Sequence, residues 1–154
     1  MKAVAYSIKP FEKEFLAKAN QKKHDITLIS NALSLETVIY ARGKEAVIVF
    51  TNDDVSEKVI QILAGFGIKY IATRSGGTDH VDKAALTKYG IKLANVPGYP
   101  LVNHIGAVSS PVFFTIDELQ LIADQTIRNL DLWQLGKCTG KACCCTGKSL
   151  CKPK

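Results

Sequence analysis

A glycine pair, a cysteine run and two glycine-containing loops are the residues whose type and spacing suit chemistry. Gly76-Gly77, in RSGGTDH, lets a ligand approach backbone N–H groups, which can receive a carboxylate or a phosphate. The same pair also serves a tight strand-to-helix turn. The five cysteines are Cys138, Cys143, Cys144, Cys145 and Cys151, and their spacing offers thiolates to zinc or copper(I). Three adjacent cysteines cannot easily face one tetrahedral ion and no C-x-x-C pair occurs, so no metal ligand is assigned. ACCCTGKS (142–149) loosely follows a phosphate-loop pattern, but no strand enters it and too few residues follow Ser149 to form the helix that would hold a phosphate. Gly65-Phe66-Gly67 begins a dinucleotide-loop pattern, yet Tyr70 stands at the last glycine position and a strand follows. No cofactor-binding residue is therefore assigned.

The elements that must position the glycine pair alternate between strand and helix. KAVAYSI (2–8), ITLIS (26–30), AVIVF (46–50), KYIAT (69–73) and IKLANV (91–96) read as five short strands. AVIVF is apolar throughout, as suits a centre strand covered on both faces. Between the strands, Phe11, Phe15 and Leu16 recur at helical spacing, and Ser34 can cap a helix carrying Leu35, Val38 and Ile39. Ser56 opens a helix with Val59, Ile60, Leu63 and Ala64 on one side, and Asp79-His80-Val81-Asp82 begins another that Gly90 closes. Such alternation implies parallel βαβ units with right-handed crossovers. Ligands of these sheets bind outside the carboxyl ends of the strands. Those ends are Ile8-Lys9, Phe50-Thr51-Asn52, Arg74-Ser75-Gly76-Gly77 and Val96-Pro97-Gly98-Tyr99.

Composition excludes several classes. At 154 residues, 47% hydrophobic and 22% charged, the chain reads as one ordinary globular domain rather than a collagen-like, disordered or disulfide-dense protein. The formal charge of +6 belongs to the tail: residues 1–136 carry 15 Lys and Arg against 14 acids, while 137–154 carry five Lys and no acid. A near-neutral body gives no reason to expect nucleic acid. With no signal-like opening and no apolar run of about 18 residues, the expectation is a cytoplasmic protein without a membrane span.

TRSGGTDHVD (73–82), GIKLANVPGY (90–99), AYSIKPFEKEFL (5–16) and FTNDD (50–54) together closely resemble the NAD-dependent D-2-hydroxyacid dehydrogenases, bacterial D-lactate dehydrogenases above all. The resemblance implies an α/β fold: a flavodoxin-like parallel five-stranded sheet with helices on both faces, followed by a C-terminal helix and an irregular tail. Residues 1–100 would be the first part of the substrate (catalytic) domain, 101–136 a linker-helix region, and 137–154 a Cys/Lys-rich disordered tail. By the same resemblance, Gly76 and Gly77 would offer N–H groups to the carboxylate of a 2-oxo acid. Lys9 and Tyr99 would line the pocket, with Asn52 on its wall. The family reaction interconverts D-lactate and pyruvate with NAD. The cofactor's Rossmann domain, the substrate-binding arginine and the histidine–glutamate pair find no counterpart here, so a truncated, inactive chain is expected. His80 and His104 do not replace the missing histidine and read as capping or surface residues.

After Tyr99 the family pattern lapses; Pro111 would interrupt a helix there. It returns at IADQTIRNLDLWQLGK (122–137) and lapses again, which points to frame disruption in a longer gene or an engineered junction. Val112, Phe113, Phe114, Ile116, Leu119, Leu121, Ile122 and Trp133 then need cover. They must fold back, with the sheet's uncovered face as the nearest target, self-associate through 101–136, or aggregate. The competing functional reading is a non-catalytic module that binds a small carboxylate or a protein partner.

Overall fold

Alternation along the strands gives each face of the sheet its own size of side chain. The structure, a computed structural model, describes residues 1–97 and 115–145. Its strands are β1 (Lys2–Ala5), β2 (Asp25–Leu28), β3 (Ala46–Val49), β4 (Tyr70–Thr73) and β5 (Lys92–Ala94). All pair in parallel, in the order β2-β1-β3-β4-β5, which is the flavodoxin-like order the resemblance implies. The helices are α1 (Glu12–Asn20), α2 (Glu57–Gly65), α3 (Lys83–Tyr89) and α4 (Ile116–Gln134).

On one face the larger residues Val4, Val47, Val49, Ile71 and Leu93 pack with Val59, Ile60 and Leu63 of α2 and Ala85 and Leu86 of α3. On the other, Ala3, Ala5, Ala46, Ala72 and Ala94, together with the larger Ile48, meet Leu16 of α1 and Ala123, Ile127, Leu130 and Trp133 of α4. Small strand residues leave the space that these two helices fill. Trp133 stacks on Tyr70 with ring centroids 4.8 Å apart and planes 20° from parallel, an offset arrangement that aromatic quadrupoles favour. The α4 part of the apolar residues that need cover therefore folds back onto the sheet, although Ile116 and Leu121 stay exposed. Val112, Phe113 and Phe114 lie outside the described residues. Among the described residues no helix is long and apolar enough to cross a membrane.

Cap chemistry explains where α3 begins and ends and where α4 begins. The Asp82 carboxylate accepts from the Ala85 amide at 3.0 Å, and Gly90, at φ +70°, ends α3 in the left-handed conformation that glycine adopts without strain. Thr115 and Glu118 form a reciprocal capping box at the start of α4.

Two expectations need correction. No helix carries Leu35, Val38 and Ile39; a short 3-10 turn, Val38–Ala41, stands there, with Leu35 and Ile39 exposed. The reason is local competition. The Ser34 hydroxyl accepts from the amides of Glu36 and Thr37, and the Thr37 hydroxyl donates to the Ala32 carbonyl at 2.6 Å, holding the backbone in turns instead of an α-helix. Residues 137–145, expected as the start of a disordered tail, instead pack along β5. Cys143 forms an antiparallel bridge with Ala94, the Cys144 amide donates to the Leu93 carbonyl at 2.9 Å, and the Asn95 amide donates to Ala142. An unpaired β5 edge supplies the backbone partners that composition does not reveal.

The docking of α4 also has an electrostatic fastening. Asp131 accepts from Lys23 Nζ and pairs with Nε2 of the buried His24, each at 2.8 Å. Burial pushes its carboxyl pKa up, but the bonds from Lys23 and His24 outweigh this and hold it below the ordinary value. A depressed folded-state pKa contributes stability above the unfolded value of 3.8, lost as pH falls through the folded value. Asp131→Ala is expected to cost about 1–2 kcal/mol at pH 7, where it strands buried His24. Urea unfolding across pH should show the wild-type advantage shrinking below about pH 4; a variant as stable as wild type at neutral pH would contradict the fastening.

Candidate functional site

The strand order places the carboxyl ends of β1, β3 and β4 side by side at the centre of the sheet. Lys9 follows β1, Asn52 follows β3, and Gly76 and Gly77 follow β4, so these four share one end of the fold. Lys9 and Asn52 are exposed and the glycines half-buried. The Lys9 amide donates to Glu12 Oε2 at 2.7 Å, while its side chain makes no hydrogen bond or ion pair among the described residues. Tyr99 lies outside the described residues, as does His104.

In the glycine loop, the carbonyls are tied and the amides are left over. The Ser75 carbonyl accepts from the Val96 amide at 3.0 Å, and the Gly76 carbonyl accepts from Asn95 Nδ2 at 2.9 Å. A trans peptide points its C=O and N–H in opposite directions. Fixing these two carbonyls towards the end of β5 therefore turns the amides of Gly76 and Gly77 away from it. Neither amide has an acceptor among the described residues. An amide whose carbonyl already accepts a bond is also polarised into a better donor. Two adjacent N–H groups, with a lysine ammonium at the same end of the sheet but two strands away, suit an anion with two oxygens. Ser75 itself is buried, and its hydroxyl meets Thr73 Oγ1 at 2.8 Å and donates to the Gly77 carbonyl at 2.9 Å.

A buried ionic network supports these loops. Arg74 is 1% exposed; Nη1 and Nη2 donate to the carbonyls of Tyr6 and Ser7 at 3.0 and 3.1 Å, and Nε donates to Glu12 at 3.2 Å. Its guanidinium also lies 5.3 Å from the centre of the Phe50 ring. Burial pushes the Arg74 pKa down, against the opposing pull of Glu12 and Asp53. Asp53, equally buried, accepts from the Ser7 hydroxyl and the Leu33 amide at 2.7 Å and from the Phe50 amide at 2.6 Å. These bonds hold Ser7 at φ 54°, a left-handed conformation uncommon outside glycine. Glu12 spans Arg74 and the Lys9 amide, so the loop after β1 is held from both sides. Sequence reasoning assigned none of Arg74, Asp53, Ser7 or Glu12; an arginine at the end of an apolar strand was the available signal.

His80 is half-buried rather than a surface residue, and Asp82, not His80, caps α3. Burial pushes its pKa down despite Asp53 and Asp79, and its Nε2 has no partner among the described residues. A cavity of about 10 Å³ between α1 and α4, lined by Glu12, Phe15, Phe50, Arg74 and Ile122, has room for about one water. A larger depression of about 190 Å³, bordered by Glu45, Lys69, Tyr70 and Trp133, lies at the amino ends of the strands. Burial pushes the Cys144 thiol pKa up, away from the thiolate that a metal requires.

Residues 3–141 match the family described as D-isomer specific 2-hydroxyacid dehydrogenase, catalytic domain. The D-lactate dehydrogenase of Escherichia coli (strain K12) is 37% identical over 100 residues, covering 64% of this chain and 30% of that protein. A 2-hydroxyacid dehydrogenase homolog from Zymomonas mobilis gives the same identity and coverage. The apo-structure of Escherichia coli D-lactate dehydrogenase superposes with a TM-score of 0.62 over 64% of this chain and 32% of that one, at 37% identity. The NAD-complexed D-isomer specific 2-hydroxyacid dehydrogenase from Lactobacillus delbrueckii ssp. bulgaricus superposes with a TM-score of 0.60 at 29% identity, covering 64% and 30% of the two chains. The chain thus spans about a third of the length of these relatives.

Proposed function

The chain belongs to the D-isomer specific 2-hydroxyacid dehydrogenase family, and on that premise we propose that it binds a small 2-oxo or 2-hydroxy acid, such as pyruvate or D-lactate, on its carboxyl-end loops. What carries the reading is the pair of outward-facing amides at Gly76 and Gly77. They donate to the substrate carboxylate, whose charge the Lys9 ammonium offsets, while Asn52 borders the space. The family resemblance adds Tyr99, which lies outside the described residues, as a further candidate for contact with the acid.

The family uses NAD, which when bound supplies or accepts the hydride. The described residues do not fit it. Gly65-Phe66-Gly67 closes α2 and leads into β4, so no helix N-terminus stands behind it to receive a pyrophosphate. Binding without hydride transfer is accordingly the activity proposed. Calorimetric titration of the purified 154-residue chain with pyruvate should give one saturable site, and incubation with NADH and pyruvate should consume no NADH above the blank. Failure to bind any 2-oxo acid would overturn the reading, and turnover above the blank would overturn its restriction to binding.

A further inference from the structure

The proposed anion loop is held by a relay of side-chain amides that begins on α4, far along the sequence from either glycine. Gln125 Nε2 donates to Asn129 Oδ1 at 2.9 Å, Asn129 Nδ2 donates to the Asn95 carbonyl at 3.0 Å, and Asn95 Nδ2 donates to the Gly76 carbonyl at 2.9 Å. Asn129 is fully buried on the packed face of α4, where an unbonded carboxamide would be costly. Asn95 is further fixed from the tail, because its own amide donates to the Ala142 carbonyl. The helix α4 and the segment after it therefore converge on one residue.

We infer that Asn95 is the positioning residue for the Gly76-Gly77 amides, and that α4 completes the binding site by holding Asn95 through Asn129. The physical link is peptide planarity. The bond from Asn95 fixes the Gly76 carbonyl, and the Gly77 N–H must then point the opposite way, towards the ligand. Releasing that carbonyl lets the peptide rotate, and the second donor no longer meets a carboxylate oxygen. The inference rests on the proposal that these amides bind a 2-oxo acid, but the state of the Gly77 amide is measurable without ligand.

Asn95→Leu, a near-isosteric neutral change, removes the donor. In the ligand-free protein its Gly77 amide resonance should shift and its hydrogen exchange quicken, while pyruvate affinity falls at least about tenfold, as expected for losing an aligned bond to a charged group. Asn129→Ala breaks the relay one step earlier and should give the same changes at smaller size, a few-fold in affinity, and serves as the test should Asn95→Leu fail to fold. A purely structural role predicts a lower melting temperature with unchanged Gly77 resonance and unchanged affinity, which overturns the inference. A wild-type protein that does not bind pyruvate overturns the functional proposal, whereas a wild type that binds and an Asn95→Leu that binds equally well overturn the relay alone.

Discussion

Arg74→Met is expected to lower the stability of the protein by about 3–5 kcal/mol. Methionine preserves most of the unbranched stem but none of the N–H donors. Arg74 satisfies two buried carbonyls, those of Tyr6 and Ser7, and a carboxylate that is itself largely withdrawn from water. Removing the guanidinium leaves all three acceptors behind, and that asymmetry makes deletion of one partner far costlier than the net value of the pair. The contact with the Phe50 ring is lost as well. Lysine keeps the charge but not the planar fork, so Arg74→Lys should recover only part of the loss. Urea unfolding measures both variants; a loss below about 1 kcal/mol for Arg74→Met would mean that the network does not hold the strand ends together.

Asp53→Ala should cost about 3 kcal/mol. Its carboxylate accepts from three donors that belong to separate segments: Ser7 after β1, Leu33 between β2 and β3, and Phe50 at the end of β3. The bonds from Ser7 and Leu33 are buried and that from Phe50 partly so, and alanine offers none of the donors an acceptor. Ser7 then also loses the bond that helps hold its positive φ. The neighbouring Asp54 is exposed and, among the described residues, accepts only from the Ser56 amide at 3.0 Å in the turn before α2, so Asp54→Ala should cost about 1 kcal/mol or less. Thermal unfolding of the two variants separates a buried three-way junction from a surface turn, and equal losses would contradict the assignment.

These two residues mark where sequence reasoning stops. The strands are legible because Val47, Ile48 and Val49, or Ala72 between Ile71 and Thr73, form apolar runs too short for helices and bounded by polar loops. The caps of α3 are legible because Asp82 and Gly90 act through neighbours a few residues away. The same local logic fails at Thr37, whose hydroxyl bonds to its own turn and stops the helix that Val38 and Ile39 otherwise pattern. Arg74 and Asp53 act across long sequence distances. Nothing near TRSGG shows that Tyr6 and Ser7 present carbonyls to the arginine, and nothing in FTNDD tells Asp53 from Asp54. Of the candidate site, Lys9, Asn52, Gly76 and Gly77 share one end of the sheet because βαβ topology puts successive strand ends there. Their support was not legible, since Glu12, Asn95 and Asn129 look like ordinary surface polar residues until the chain is folded.

The most direct test of the account is an amide spectrum of the protein labelled with nitrogen-15 only at glycine, recorded during titration with pyruvate. Saturable shifts are expected at Gly76 and Gly77, with Gly43, Gly67 and Gly136, which lie away from the carboxyl-end loops, left in place. Unmoved Gly76 and Gly77 resonances at concentrations that saturate binding, or shifts confined to other glycines, would contradict the claim that these two amides receive the acid.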